Sequence, residues 1–488
     1  MKNLEPRPVW AIFDEITRVS RPSKNEGAIV AWLVEFAKKH DLEYQKDAIG
    51  NVVIRRPASP GMEGRPTVVL QNHVDMVCER NADALNAAGQ PFDFTRDGIV
   101  TLISPDGGWV QARGTTLGAD NGMGMALALA LLIDPEAELP PLEALFTVDE
   151  ETGLTGAFNL RADMISGRYL INLDSEDEGE VFIGCAGGVD TLARFDYKPE
   201  SASENLRFFE IVVSGLLGGH SGDDIEKGRG NSNRILGRLL WSGMFAHSLR
   251  VASIDGGNLR NAIPREARAV VGVPETWMAE FSRLAEGFCA DITGELAHSD
   301  PDVSVSVLPV PAPASVIDAD TSRRLVSALI GVPNGPLAMS FAVPGLVETS
   351  SNLASVKMEQ GKIVVTTSQR SSVESGKWSA AEAVEAVFSL AGARVEHSEG
   401  YPGWAPNPDS QLLEITKKAY RELFGREIKV RAIHAGLECG LFLEKYPTLD
   451  MISTGPTILG AHSPNERLKI DTVGKTWRLL LEILQHIR

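Results

Sequence analysis

The chain carries only four cysteines among its 488 residues, Cys78, Cys185, Cys289 and Cys439, far apart and in no CxxC pair. That sparsity argues against a disulfide framework and against a structural zinc knuckle, and it fits a reducing cytoplasm. Long apolar runs are also missing: the longest, MALALALLI at 125–133, suits a buried helix and is too short to span a bilayer. The N-terminal stretch MKNLEPRPVWAIFDEITRVS has charges inside its apolar segment and no small-residue cleavage site, so it does not read as a secretory signal. There is no basic block and no acidic tail. A net charge of -18 spread along the chain argues against nucleic acid and anionic membranes as partners. No internal repeat or low-complexity tract is present. What remains is an ordinary folded composition, 43% hydrophobic and 23% charged, on a chain too long for one core, so two domains are expected.

From residue 8 to 175 β-rich runs alternate with helical ones. SKNE, Ser23 to Glu26, has the form of a capping box before GAIVAWLVEFAKKH, whose Ile29, Trp32, Leu33 and Phe36 share one helical face. TVVLQNHVD (67–75), LEALFTVD (142–149) and RYLINLDSE (168–176) read as strands, with helical stretches after Asp120 and around 156–165. Strands bounded by helices predict an α/β fold with the sheet buried on both faces. Around residue 186 the texture changes to strands of period two, VSVSVLPV and KIVVTTSQ among them, which predicts an inserted α+β domain. YPGWAPNPDS (401–410) marks the return crossing. The expected division is residues 1–187 and 399–488 for a catalytic domain with a mixed sheet between helices, and 188–398 for the insertion.

Each strand of the first domain ends in polar residues, and ligands of open α/β sheets gather beyond the carboxyl ends of the strands. LFTVDEETG is the sharpest case, with Asp149, Glu150 and Glu151 in succession. Unpaired carboxylates out of water cost on the order of several kcal/mol each, and few Lys or Arg lie nearby, so divalent cations are the economical answer. HVD puts His73 and Asp75 on the same side of an extended segment, where the carboxylate can hold the second ring nitrogen. Each motif alone has a structural account as well: HxD as a packed pair, GADNG around Asp120 as a turn and helix cap, GAHSPNE as a loop with His462. Together, His73, Asp120, Glu151, Asp174 and His462 supply two imidazoles and three carboxylates. That set suffices for two zinc ions sharing one carboxylate, with cobalt or manganese as replacements, whereas magnesium prefers oxygen ligands.

HVD, LGADNG, DEETG, NLDSE and GAHSPNE, in this order, resemble the motif set of the dinuclear-zinc exopeptidases that include carboxypeptidase G, peptidase T and carnosinase. Within that family the length, the doubled glycine of GLLGGHSGDDI and the segment HAGLECG are similar to those of dipeptidases that accept a C-terminal histidine. The resemblance implies that His73 and Asp174 bind one zinc, Glu151 and His462 the other, and that Asp120 bridges. It makes Glu150 the general base and Asp75 the residue that orients His73, and it implies a cis peptide between Asp120 and Asn121. The residues agree with this division of labour, since neighbours at a strand end point in different directions.

The same resemblance implies that His220, among the glycines of GGHSG, reaches the active site of a second subunit and stabilises an oxyanion. It implies that Asn261 and Arg370 hold the substrate's terminal carboxylate; the fork of an Arg suits that task, although a surface role explains Arg370 equally. Glu438 in HAGLECG is a candidate to receive a free amino group, with helix capping as the plain alternative. The expectation is therefore a cytoplasmic homodimer, joined through the inserted lid domain, that hydrolyses unblocked dipeptides including Xaa-His substrates. The alternative is a related di-zinc amidohydrolase, a tripeptidase or an N-acyl-amino-acid deacylase.

Overall fold

The computed structural model describes residues 1, 3–359 and 361–488. Its chain forms two compact units, one of Met1–Gly184, Pro406–Ala432 and Glu438–Arg488, the other of Cys185–Ala405 and Ile433–Leu437.

In the first unit the strand Val68–His73 runs parallel to both neighbours, Leu142–Thr147 and Tyr169–Asn172, and the last of these is parallel to Asp450–Ser453. Every residue of Val68–His73, Leu142–Thr147 and Tyr169–Asn172 is buried, as a sheet covered on both faces requires. Antiparallel strands complete an eight-stranded mixed sheet, Glu43–Lys46 and Val52–Arg56 on one side and Glu180–Cys185 and Lys429–Ile433 on the other. The α/β reading holds. Because the parallel strands share a direction, the residues that follow them converge at one end of the sheet.

MALALALLI lies in the helix Ala119–Ile133, buried continuously from Asn121 to Leu132. It therefore has no polar face. The helix Arg7–Ile16 packs on it with Trp10 and Phe13 fully buried. A small sheet of Ile458–Leu459, Arg467–Lys469, Trp109–Ala112 and Thr101–Ile103 holds the loop of residues 460–466 between its first two strands.

Two local expectations fail for tertiary reasons. The helix Gly27–Lys39 forms, but no side chain caps it: Ser23 Oγ donates to Asp75 Oδ2 at 2.8 Å, and Glu26 Oε1 accepts the Lys24 and Asp149 amides. The helix expected over 156–165 stops at Asn159. Its last carbonyls are taken by Lys445, whose Nζ donates to Ala157 O at 3.1 Å and Leu160 O at 2.8 Å, so the helix gains nothing by continuing.

The second unit is α+β. Its nine-stranded antiparallel sheet runs Ser304–Pro309, Leu206–Ser214, Ala267–Pro274, Arg250–Gly256, Val347–Glu359, Lys362–Ser371, Gly187–Asp196 and Arg394–His397, with Gly335–Met339 paired to Val347–Glu359. Apolar residues of this sheet pack with those of the helices Ser232–His247, Met278–Glu295, Ala319–Gly331 and Glu374–Leu390 in one core. Among the described residues no helix is long and apolar enough to cross a membrane.

Candidate active site

Five chain segments meet beyond the parallel strands of the first unit. His73 ends its strand. Asp120 starts the long buried helix, and the bond to Asn121 is cis. Glu150 and Glu151 open the short helix Glu150–Gly153, Asp174 lies just past Tyr169–Asn172, and His462 sits in the loop of the small sheet.

Asp120 faces both histidines. Its Oδ1 is 3.0 Å from His73 Nε2 and its Oδ2 is 3.2 Å from His462 Nε2. His73 Nε2 is also 3.2 Å from Asp174 Oδ1, and His462 Nε2 is 3.0 Å from Glu151 Oε2. Donor atoms therefore cluster in two overlapping groups, His73 with Asp120 and Asp174, and His462 with Asp120 and Glu151, each within 4.8 Å. A third group joins His73, Glu150 and Glu151. Asn121 Nδ2 donates to Asp174.

The three consecutive acids have separate environments. Asp149 takes the hydroxyls of Thr152 and Thr155 and so is satisfied without a cation. Glu151 Oε1 is buried with no hydrogen-bond partner. The Glu150 carboxylate has none either among the described residues, and burial pushes its pKa well above the usual range; His73 opposes this, and Asp174, Glu438 and Glu151 add to it. Asp75 behaves oppositely. Burial works against its ionisation, but His73, the Glu150 amide and Ser23 outweigh that and hold it at about 2. Its Oδ1 lies 3.4 Å from His73 Nδ1 and accepts the Glu150 amide at 3.0 Å.

The carboxylates dominate the imidazoles as well. Asp120 and Glu151 push His462 up to about 11, and Asp174, Asp120 and Asp75 raise His73 in spite of its complete burial. Burial lifts Asp174 to about 6 against the pull of His73. Glu176, which the sequence reading passed over, is lifted to about 8 by burial and by Asp120 and Asp174; its only signal was the acidic run NLDSE.

Glu438 is 1% exposed. Gln71 Nε2 and Thr147 Oγ1 donate to its Oε2 at 2.6 and 2.8 Å, its Oε1 has no partner, and burial pushes it up to about 8.

His220, Asn261 and Arg370 belong to the second unit. Gly219–His220 pairs with Ala262–Ile263, and Ser221 N donates to Asn261 O at 2.9 Å, so the first two lie on adjoining segments. His220 Nδ1 accepts the amides of Gly222 and Asp223 at 3.3 and 3.2 Å. Arg370 is 6% exposed. Its partners are neutral: Nη1 donates to Tyr401 Oη at 2.9 Å and Nε to Ser221 Oγ at 3.3 Å. Sequence reasoning missed Tyr401, Ser221 and Ser350, whose Oγ lies 2.7 Å from Nε2 of the buried His434 of HAGLECG, because hydroxyls in unremarkable runs carry no pattern.

Acids and histidines thus gather at the carboxyl ends of the parallel strands of a mixed sheet. The profile of Peptidase family M20/M25/M40 matches residues 69–486, and the chain belongs to that family. It is 40% identical over 487 residues, covering 100% of this chain and 99% of the relative, to the cytosol non-specific dipeptidase of Escherichia coli (strain K12). The crystal structure of aminoacylhistidine dipeptidase from Vibrio alginolyticus is similar with a TM-score of 0.93 at 42% identity, covering 100% of this chain and 98% of that one. An aminopeptidase from Bacillus cereus, at 16% identity and a TM-score of 0.56 over 99% of both chains, shares the fold.

Proposed function

We propose that the chain is a metallo-dipeptidase that cleaves the peptide bond of unblocked dipeptides, Xaa-His substrates among them, at the cluster around Asp120. Full-length similarity to two dipeptidases supports the reaction class. The observation that carries the site is Asp120 itself, whose two oxygens face one histidine each at 3.0 and 3.2 Å.

The residues fit a pair of divalent cations. The donors are mixed nitrogen and oxygen, which suits zinc, cobalt or manganese, and the orphaned Glu151 Oε1 is a buried acceptor that a cation would satisfy. His73 and Asp174 would hold one ion, His462 and Glu151 the other, with Asp120 between them. When bound, the pair supplies Lewis acidity that polarises a carbonyl and lowers the pKa of water.

Glu150 does the proton work in this reading. Its carboxylate has no hydrogen-bond partner among the described residues and burial favours its protonated form, so it can take a proton from the attacking water and hand it to the leaving amine. Asp75, ionised, fixes the His73 ring and the amide of Glu150 together. Arg370, with neutral partners only, is free to bind the substrate's carboxylate, with Asn261 beside it in function and His220 stabilising the oxyanion. Glu438, whose Oε1 lacks a partner, is the candidate for the free amino group: an arriving ammonium favours the ionised form of a carboxyl otherwise pushed to about 8. Two zinc ions per chain, a homodimer through the inserted unit and residence in the cytoplasm complete the proposal.

Assay of Xaa-His dipeptides against tripeptides and N-acyl amino acids tests it. Turnover of the dipeptides is expected; activity confined to acylated substrates or tripeptides would replace the dipeptidase by the related amidohydrolase.

A further inference from the structure

Glu466, four residues beyond His462, is 2% exposed. Its carboxylate accepts four consecutive amides of the segment that leads into Asp120. Oε2 takes Leu117 N at 2.7 Å and Gly118 N at 2.9 Å, and Oε1 takes Ala119 N at 2.7 Å and Asp120 N at 3.3 Å. The carbonyl side of the same segment is held by Arg21, also 2% exposed. Arg21 Nη2 donates to Gly118 O, while Nη1 donates to Val74 O at 3.0 Å and Asp75 O at 2.9 Å.

The glycines of LGADNG are shaped to this contact. Gly118 has φ +68°, and a Cβ there would lie 2.5 Å from Arg21 Nη2; at Gly122 the same atom would be 2.7 Å away. The guanidinium is thus threaded between them. Three segments bearing Asp120, His73 with Asp75, and His462 are tied by one buried acid and one buried base. A buried carboxylate beside the acidic cluster is electrostatically unfavourable, and four amide donors and a guanidinium are what offset it.

We propose that Glu466, acting with Arg21, is a positioning residue that fixes Asp120 relative to His73 and His462 and thereby sets the affinity of the site for its cations. The proposal rests on the reading of Asp120 as a shared ligand. Glu466→Gln keeps the shape but turns one acceptor into an NH2 group facing amide donors, so the segment must shift. Arg21→Lys keeps the charge but cannot reach three carbonyls at once.

The experiment is Zn2+ titration of chelator-stripped full-length protein in competition with a chromophoric chelator, with circular dichroism to check folding. Wild type is expected to bind tightly, and both variants to fold yet bind roughly 10- to 100-fold more weakly. At saturating Zn2+ their KM for a dipeptide should be unchanged and kcat reduced. Wild-type Zn2+ affinity in a folded Glu466→Gln overturns the positioning role. If that variant does not fold, Arg21→Lys decides in the same way, wild-type affinity again being the overturning result. Failure of the wild type itself to bind Zn2+ would remove the metal site, a separate outcome from failure of the variants to differ.

Discussion

Asp75 accepts the backbone N–H of Glu150 at 3.0 Å while its same oxygen lies 3.4 Å from His73 Nδ1. One buried carboxylate thus lies against the ring of a candidate ligand and holds the start of the helix that carries the candidate base. Its second oxygen takes the Glu151 amide at 3.3 Å and the Ser23 hydroxyl at 2.8 Å, so both oxygens are committed. Asp75→Asn removes the charge and places an NH2 group against one of these donors. Metal affinity is expected to fall roughly 10- to 100-fold, with kcat reduced even at saturating metal; chelator competition and steady-state kinetics read the two effects.

Glu150→Gln should separate binding from chemistry. The side chain makes no hydrogen bond among the described residues, so the amide that replaces it disturbs little, and metal content should match the wild type. Turnover should fall by about 10²- to 10⁴-fold, the range of general acid–base catalysis. Retained kcat would remove Glu150 as the proton carrier.

The histidines define a pH dependence. Asp120 and Glu151 hold His462 protonated up to about 11, and His73 is raised by its carboxylates as well. An imidazole ligates a cation only in its neutral form. Cation binding at neutral pH must therefore release protons, and affinity must rise with pH and fall as the solution is acidified. Calorimetric Zn2+ titrations in buffers of different ionisation enthalpy should give different apparent heats; equal heats would show that no proton leaves.

Arg370 tests recognition of the substrate's carboxylate. A guanidinium at 6% exposure with only hydroxyl partners gains an ionic partner when a carboxylate binds. Arg370→Ala should raise KM for free dipeptides roughly 10- to 100-fold and leave C-terminally amidated dipeptides unaffected relative to wild type. Equal effects on both substrates would assign Arg370 a structural role.

The central strands and their covered faces were legible in the sequence because these strands are short apolar runs that end abruptly in polar residues. The acids and histidines of the cluster were legible for the same reason, each lying one or two residues past such a run or beside a glycine turn. Ser23 was misread because its hydroxyl donates to a distant carboxylate, Asp75, and the helix starts only at Gly27. The helix after Glu151 was overextended because Lys445, far along the chain, takes the carbonyls that a longer helix would have satisfied. Nothing local marks Arg21 or Tyr401, since what distinguishes them is the backbone or side chain they meet after folding. Asp149, the first of the three consecutive acids, was given no role from the sequence, and two threonine hydroxyls satisfy it.

The central claim is that Asp120 joins two cation sites on which hydrolysis depends. Its most direct test is titration of chelator-stripped protein with zinc while Xaa-His hydrolysis is followed, metal being counted per chain by elemental analysis. The account predicts no turnover in the stripped protein and full recovery as two equivalents are bound. Full turnover in protein shown to be free of metal would contradict it.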